Sequence, residues 1–406
     1  MSFLSPESHM PLVLLLGVAL VFGCAKQEPP RGDADSVGDL TTADAEGTGS
    51  PADPGQADAA AAQVSASKAS TSEPSLAPSG APQKKAELLI QLPKGCNTCD
   101  AMALLPDNSI LLSMPNFNQL EEGSFLMRIT PDNRAEEFIK LPLHEVTKKP
   151  VGPLGLCVAP SGDLFLADYQ MTGERQSRVL KISVKDGKPV ELKPVVTGFH
   201  VSNAVICRGG YLYVSETQID AKSKPATSGV FRFKLDELEK GPVALADSET
   251  EDPHFLAVIK VFNEQLPLGA DGLCFDKQGN LYIGNFSDGT VHRLEFDEQG
   301  KVKSNAIFAK ADFMKSADGL FMDPPSGVIY VADSKANAVH MVSPDGTVKT
   351  LAQNGDTDGL DGGMDQPCEV LLRGRELIVS NMDWPVPGCI NQKYNEPCTL
   401  SVIRLD

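Results

Sequence analysis

The chain has 406 residues, of which 41% are hydrophobic, and its 54 acidic and 36 basic residues give a formal net charge of −18. An acidic chain without a cluster of Lys and Arg is a poor partner for nucleic acid or for an anionic membrane surface, so we exclude both as partners. The length would allow several domains, but a closed all-β fold can also occupy about 200–300 residues as one unit.

The N-terminal segment has the features of an export signal. Residues 11–23, PLVLLLGVALVFG, form an apolar run that is shorter than the about 20 residues a membrane-spanning helix needs. We therefore predict a signal peptide over residues 1–23. The stretch Val21 to Cys24 resembles the lipobox of bacterial lipoproteins, which implies acylation of Cys24. An ordinary signal peptide with a chance cysteine is the alternative, because residues 1–10 carry no Lys or Arg.

Residues 24–85 are predicted to follow as an acylated cysteine and a tether. The segment 25–85 contains no aromatic residue and is rich in Ala, Ser, Asp, Pro, Gly and Thr. Such a segment buries too little apolar surface to offset its ordering entropy, so we expect it to be disordered. The predicted location is the bacterial cell envelope, on the periplasmic side or at the surface, with the lipid as the only attachment to the membrane.

A short phrase recurs six times in the remainder of the chain. Each copy is an apolar strand, a turn rich in Gly, Asp or Asn, and a second strand, which is typical of β-hairpins. The copies begin at Asp100, Leu154, Asn203, Asp271, Asp318 and Cys368. Repeats about 45–70 residues apart fit four-stranded blades with loops. We predict an all-β, six-bladed β-propeller over residues 86–406, with a charged loop around residues 217–253.

The last copy lacks one strand. After Cys368 the chain supplies only the strands EVLLR, ELIVSN and TLSVIRL. The segment AELLIQL at residues 86–92 can provide the missing strand and would remove a free sheet edge. We therefore expect an N-terminal strand to complete the last blade and close the ring.

The first residue of each copy should face the propeller axis, because the innermost strands line a central channel. These residues are Asp100, Leu154, Asn203, Asp271, Asp318 and Cys368. Carboxylates confined together oppose folding unless a cation neutralises them. Oxygen donors of this kind suit Ca²⁺, with another divalent cation as the alternative. Asp and Asn before Gly are also ordinary turn residues that bond nearby backbone groups, and that interpretation stays open.

These phrases resemble the gluconolactonase/senescence-marker-protein (regucalcin-like) group of propellers, and residues 343–363, SPDGTVKTLAQNGDTDGLDGG, also resemble NHL repeats. The resemblance implies a metal held by Asp100, Asn203 and Asp271, with Asp271 also acting as the catalytic base. Two positions depart from the group's pattern: Asp100 replaces a Glu, and Leu154 replaces a polar Asn. From the ring alone, Asp318 is a further candidate ligand.

Two functions follow from these features. The first is a metal-dependent hydrolase of a small lactone or ester, with His200 as a candidate proton shuttle, and the ring of Asp and Asn residues favours it. The second is a non-catalytic, NHL-like binding or scaffolding propeller for a protein or glycan partner, which Leu154 and the absent Glu favour. In either case we expect a monomer.

The nine cysteines include eight after Cys24. In an exported protein paired cysteines are plausible, and Cys389 and Cys398, which flank a short loop, are the predicted disulfide. A bridge between Cys99 and Cys368 is a second option. Two further segments receive structural interpretations: DTDGLDGGMD (356–365) is predicted to be an acidic loop, and Trp384 is predicted to pack within a loop.

Overall fold

The structure is a computed structural model that describes residues 84–406. The predicted signal peptide and nearly all of the predicted tether lie outside this range, so both stay predictions. Helix is confined to α1 (Leu235–Leu238) and to single 3₁₀ turns at Leu120–Glu122 and Glu249–Glu251 within the described part. None of these helices is long and apolar enough to cross a bilayer.

Strands form six antiparallel blades, each listed here from its innermost strand outward. One strand, β1 (Glu87–Gln91), precedes the first blade. Blade one contains β2 (Met102–Leu104), β3 (Ile110–Met114), β4 (Phe125–Ile129) and β5 (Ala135–Lys140). Blade two contains β6 (Pro153–Val158), β7 (Leu164–Asp168), β8 (Ser177–Lys185) and β9 (Lys188–Phe199). Blade three contains β10 (Ser202–Arg208), β11 (Tyr211–Asp220), β12 (Ala226–Lys234) and β14 (Phe255–Val261). The short β13 (Val243–Ala244) pairs in parallel with β9 of blade two.

The other three blades follow the same order. Blade four contains β15 (Ala270–Phe275), β16 (Leu281–Asn285), β17 (Thr290–Phe296) and β18 (Val302–Lys310). Blade five contains β19 (Leu320–Met322), β20 (Ile329–Asp333), β21 (Ala338–Val342) and β22 (Val348–Gln353). Blade six contains β23 (Pro367–Arg373), β24 (Glu376–Asn381), β25 (Thr399–Arg404) and the N-terminal β1. The predicted six-bladed propeller is confirmed.

Closure of the ring depends on β1. It pairs antiparallel with β25, so that Glu87 faces Val402 and Gln91 faces Thr399. The first and last parts of the described chain thus share one sheet, as the sequence predicts. The pairing covers the outer edge of β25, which would otherwise expose unpaired backbone groups.

Turn chemistry explains the hairpins inside the blades. Gly162 and Gly279, in the first hairpins of blades two and four, have φ values of 88° and 91°, a left-handed conformation that glycine adopts without steric strain. Asn108 takes the equivalent place in blade one with φ 64°. Asn is the residue after Gly that tolerates this region best.

The core is divided among the contacts between neighbouring blades. Six apolar clusters are present in the described chain, one for each pair of adjacent blades. Between blades two and three, Phe199 packs edge to face on Phe231 with ring centroids 5.3 Å apart. Because every blade is held by both neighbours, the position of each inner strand is fixed by packing on two sides.

The prediction of a charged loop around residues 217–253 is wrong in part. This region contains the end of β11, the whole of β12 with sequence ATSGVFRFK, helix α1 and the short β13. Val230, Phe231 and Phe233 of β12 are fully buried. Strand β12 is the third strand of blade three, so the segment completes a blade rather than forming an insertion.

The cysteines Cys389 and Cys398 are free, buried thiols in the structure and are not joined to each other. The thiol of Cys99 lies close enough to hydrogen-bond Cys398, and together with burial this contact raises the pKa of Cys99 well above its usual value. Cys368 is also a free thiol. The geometry therefore places Cys398 beside Cys99, at the contact between blades six and one.

Candidate functional site

The innermost strands meet around a common axis. Each contacts its two neighbours in blade order, and β23 of blade six contacts β2 of blade one to complete the circle. In several blades the pairing of the innermost strand with the second strand is interrupted at the first residue of the repeated phrase. The interruptions lie between Pro153 and Leu156, Ser202 and Val205, Ala270 and Leu273, and Pro367 and Glu369. Such bulges free a side chain from the regular pleat and occur often beside functional sites.

The repeated glycine explains how closely the inner strands approach. A Cβ on Gly155 would lie 2.6 Å from Cα of Ala204 in the next blade, and one on Gly272 would lie 2.7 Å from the backbone nitrogen of Leu320. Separations this short exclude a side chain unless the backbone moves. Glycine at these positions therefore brings the first residues of adjacent phrases next to one another.

Four carboxyl groups from four blades meet at this axis, and we call them the axial carboxyls: Asp100, Asp271, Asp318 and Glu369. The three aspartates keep only 6–7% of their surface exposed. Burial is the largest influence on each of the four and raises its pKa.

The axial carboxyls also act on one another. Burial raises the pKa of Asp100 to about 7, and a hydrogen bond from Cys368 opposes the shift. Burial and the charge of Asp100 raise the pKa of Asp271, while Asn203 and the N–H of Gly272 lower it. The charges of Asp271 and Asp100 follow burial in raising the pKa of Asp318. These influences, together with the contacts among the innermost strands, place the four groups near one another around the axis.

Glu369 was missed by the sequence analysis, which took Cys368 as the residue of blade six that faces the axis. Its pKa is raised well above the usual value by burial and then by Asp100 and Asp271, against a hydrogen bond from the N–H of Val370. The sequence does contain a signal for this residue. Glu369 occupies the repeat position at which the other five blades have Gly or Ala.

Two buried carboxylates elsewhere in the propeller, Asp168 and Asp333, have partners. Asp168 accepts the N–H of Gly152 at 2.9 Å and pairs with Nε of Arg178 at 2.8 Å. Asp333 accepts the N–H of Ser316 at 2.9 Å and lies 3.1 Å from Nε2 of His340. No Lys or Arg is among the groups that act most strongly on the axial carboxyls within residues 84–406. The axial site is therefore an uncompensated cluster of acids.

The donor set fits a hard divalent cation in charge and in chemistry, because it offers carboxylate and amide oxygens and no imidazole. In the structure, however, these side chains are not drawn together around a common point. No three His, Cys, Asp or Glu side chains of the described chain are placed closely enough to form a ready-made metal site. Binding would require the side chains to move inward once their repulsion is neutralised.

The other predicted residues have different surroundings. Leu154 packs in the apolar cluster between blades two and three and offers no ligand. Asn203 donates from Nδ2 to Oγ1 of Thr217 at 3.2 Å and also bonds Asp271. His200 lies 3.3 Å from Oε1 of Glu249, so it faces the 3₁₀ turn of residues 249–251. Trp384 packs on Phe117 with ring centroids 5.0 Å apart, in line with the predicted packing role.

The fold is a six-bladed β-propeller, and solved gluconolactonases and related structures share it, which confirms the resemblance at the level of the fold. One similar structure is a luciferin-regenerating enzyme, with a TM-score of 0.53, 13% identity, and coverage of 79% of this chain and 95% of that chain. A gluconolactonase from Xanthomonas campestris has a TM-score of 0.51 and 14% identity, covering 78% and 88% of the two chains.

A PQQ-bound aldose sugar dehydrogenase from Streptomyces coelicolor is similar to the same degree, with a TM-score of 0.50, 14% identity, and coverage of 80% of this chain and 99% of that chain. No protein-family model and no curated protein matches the sequence. Because structures with such different activities share the architecture, the likeness shows the fold alone, and function has to be argued from the site.

Proposed function

We propose that the protein is a divalent-metal-dependent hydrolase that opens a small lactone or ester at the propeller axis. The observation that carries the proposal is the set of axial carboxyls, which raise one another's pKa values. A cluster of this kind is unfavourable unless a cation or protons neutralise it. The gluconolactonase-like fold adds support, since a solved gluconolactonase has the same architecture.

Calcium is the cation that the donors suit best. Ca²⁺ takes six to eight oxygen ligands in flexible geometry, and Asp100, Asn203, Asp271 and Asp318 offer oxygens from four blades. Glu369 adds a fifth source on the opposite side of Asp318 from Asp271 in blade order. Zn²⁺ would favour His or Cys ligands, which do not form a set here within the described residues.

In the proposed reaction Asp271 accepts a proton from a water molecule, and the water oxygen attacks the carbonyl carbon of the lactone or ester. The carbon–oxygen bond to the alkoxy group then breaks, and the proton passes to that oxygen. The hydrogen bonds from Asn203 and from the N–H of Gly272 favour the ionised form of Asp271, which a base requires. A bound divalent cation would polarise the carbonyl group and stabilise the oxyanion.

Calcium-dependent melting of the full chain tests the metal site. Added Ca²⁺ should raise the melting temperature of the wild type, because a ligand that binds only the folded state stabilises it. The rise should be smaller for Asp271→Ala and unchanged for Asp345→Ala, which alters an exposed hairpin residue. A panel of lactones and aryl esters then tests turnover. Calcium binding without hydrolysis of any substrate in the panel would reject the hydrolase.

The second candidate function is a non-catalytic binding propeller for a protein or glycan. The observation that favours it is the open arrangement of the axial acids, since no metal-binding group of three is preformed in residues 84–406. Leu154 adds to this, because it places an apolar side chain where the resembling enzymes have a polar one. A propeller of this class would bind its partner equally well in Ca²⁺ and in EDTA.

We also propose attachment to the cell envelope through an acylated Cys24. The support is the sequence from Val21 to Cys24 together with the preceding apolar run. Labelling of growing cells with a radioactive fatty acid should mark the wild-type protein and leave Cys24→Ser unmarked. A Cys24→Ser protein that is exported, unlabelled and still membrane-bound would reject the lipid as the sole anchor.

A further inference from the structure

A second pair of buried acids lies in the loops of blade six. Asp365 precedes β23 and Asp383 follows β24, and they keep only 3% and 1% of their surface exposed. The charge of Asp365 follows burial in raising the pKa of Asp383 to about 8. Burial likewise raises the pKa of Asp365 to about 7. Asp365 is therefore close enough to act on Asp383, and we call these two carboxyls the loop pair.

The loop pair is separate from the axis. The groups that act on Asp383 are Asp365, Asp356 and the N–H of Asn395, and they include none of the axial carboxyls. Asp356 and Asp358, both exposed, act on Asp365 and add to the negative charge. Within the described chain no Lys or Arg is among the groups that act most strongly on either member.

One carboxylate oxygen of the loop pair lacks a hydrogen-bond donor among the described residues. Asp365 Oδ1 accepts a hydrogen bond from Asn391, and Asp383 Oδ2 accepts the N–H of Asn395. The other oxygen of Asp383, Oδ1, is buried and has no hydrogen-bond partner in residues 84–406. The described part of the chain therefore supplies no donor group for it, and a buried carboxylate oxygen left in this state is strongly unfavourable.

The side chain of Gln366 gives an independent indication that a ligand binds beside the loop pair. It is 1% exposed, and its Oε1 also has no partner within the described residues. Its Nε2 donates to the carbonyl oxygen of Trp384 at 2.7 Å, so the amide group lies beside the residue that follows Asp383. Its backbone oxygen accepts the N–H of Met382 at 3.0 Å, which ties the same two loops together. A buried amide oxygen without a partner among the described residues therefore lies next to Asp365 in the chain and beside the loop that carries Asp383.

We propose that Asp365 and Asp383 bind a divalent cation, Ca²⁺ in the first instance, with the side-chain oxygen of Gln366 as a further ligand. Two carboxylates balance a double positive charge, and oxygen-only donors with an amide among them suit calcium. The ion links the loop before β23 to the loop that carries Trp384 onto Phe117 of blade one. It therefore stabilises the contact between the last blade and the first, whether or not the axis is catalytic.

Terbium luminescence of the full chain tests this site, because Tb³⁺ replaces Ca²⁺ and is excited by a nearby indole. Trp384 is the single Trp of the chain and is adjacent to Asp383. Excitation of Trp384 should give Tb³⁺ emission that added Ca²⁺ competes away. Asp383→Asn should lose this emission, while Asp271→Asn should keep it. Emission that survives Asp383→Asn, or that disappears only in Asp271→Asn, would overturn the proposal.

Melting curves distinguish a variant that has lost the cation site from a variant that folds poorly. In EDTA, Asp383→Asn and Asp365→Asn should melt at or above the wild-type temperature, because the substitution removes the repulsion between the pair. In Ca²⁺ the order should reverse, and each variant should lose part of the stabilisation of the wild type. Variants that melt below the wild type by the same margin in both solutions would show a purely structural role and reject the cation site.

Discussion

The carboxylate of Glu369 fills the space that Gly319 leaves open in the neighbouring blade. A Cβ on Gly319 would meet the Glu369 side chain and would lie 2.6 Å from the carbonyl oxygen of Cys368. Blade six is thus the blade whose small repeat residue is replaced by an acid, and the absence of a side chain at Gly319 makes room for that acid. The charge of the axial site therefore depends on a glycine that carries no charge itself.

Substitution Gly319→Ala should destabilise the protein by about 1–3 kcal/mol, the usual effect of overpacking. It should also weaken Ca²⁺ binding, because the added methyl group displaces Glu369. Chemical unfolding with and without Ca²⁺ measures both effects. Gly355→Ala is the matched control, since a Cβ there meets no atom within 4 Å. Equal stability of the two variants would contradict the close packing of blades five and six.

In the absence of metal the stability of the fold should fall as the pH rises, and bound Ca²⁺ should remove most of this decline. The pKa of Asp100 in the folded protein is raised to about 7, whereas the pKa of an Asp in an unfolded chain is about 3.9. In this interval the folded state holds more protons than the unfolded state. Without metal, the contribution of Asp100 to the free energy of unfolding is therefore present in full at about pH 4. It is lost as the pH rises to about 7, and the loss is at most about 4 kcal/mol.

Melting in EDTA across this pH range measures the decline, and Ca²⁺ should remove most of it at neutral pH. The loop pair acts in the same direction, so the axial contribution is the difference between the wild type and Asp100→Asn. The variant should show the shallower decline. If the two pH profiles in EDTA have the same slope, Asp100 does not carry the raised pKa that burial gives it.

Loss of the base should abolish hydrolysis while leaving the fold intact. Asp271→Asn keeps the size and the hydrogen-bonding shape of the side chain but cannot accept the proton of the attacking water. Turnover should fall by about 100-fold or more, which is the usual contribution of a positioned general base. The rate should be measured on the first lactone or ester that the wild type hydrolyses, at saturating Ca²⁺. Asp345→Asn should retain wild-type turnover, and an equally active Asp271→Asn would assign the base elsewhere.

The repeated phrases determined most of what could be predicted about the fold. A hairpin with Gly or Asn at its turn is a local pattern, so six copies predicted six blades, and the spare strand at residues 86–92 predicted the closure. Strand β12 was harder to recognise, because its apolar Val230, Phe231 and Phe233 stand in a region of Lys, Asp and Glu residues. Its burial results from packing on blade two through Phe231 and Phe233 and on blade four through Val230, which a local pattern does not contain.

The sequence predicted the axial residues only where they occupy the same position in each repeat. Asp100, Asn203, Asp271 and Asp318 share a position in the phrase, and equal positions in a propeller have equal depth. Glu369 is shifted by one residue, which the alignment on Cys368 concealed. The loop pair could not be predicted, since Asp365 and Asp383 meet only through the folding of two loops and belong to no common repeat.

Closure of the ring by β1 can be tested with two leucines of the same segment. Leu92 is 2% exposed and packs in the cluster between blades six and one, whereas Leu88 on β1 is 39% exposed. Leu92→Ala should lower the free energy of unfolding by about 2–5 kcal/mol, and Leu88→Ala should change it by about 0.5 kcal/mol or less. Chemical denaturation of the full chain measures both. Similar losses for the two variants would mean that this segment contributes backbone pairing alone, and that the first and last blades are held together by other contacts.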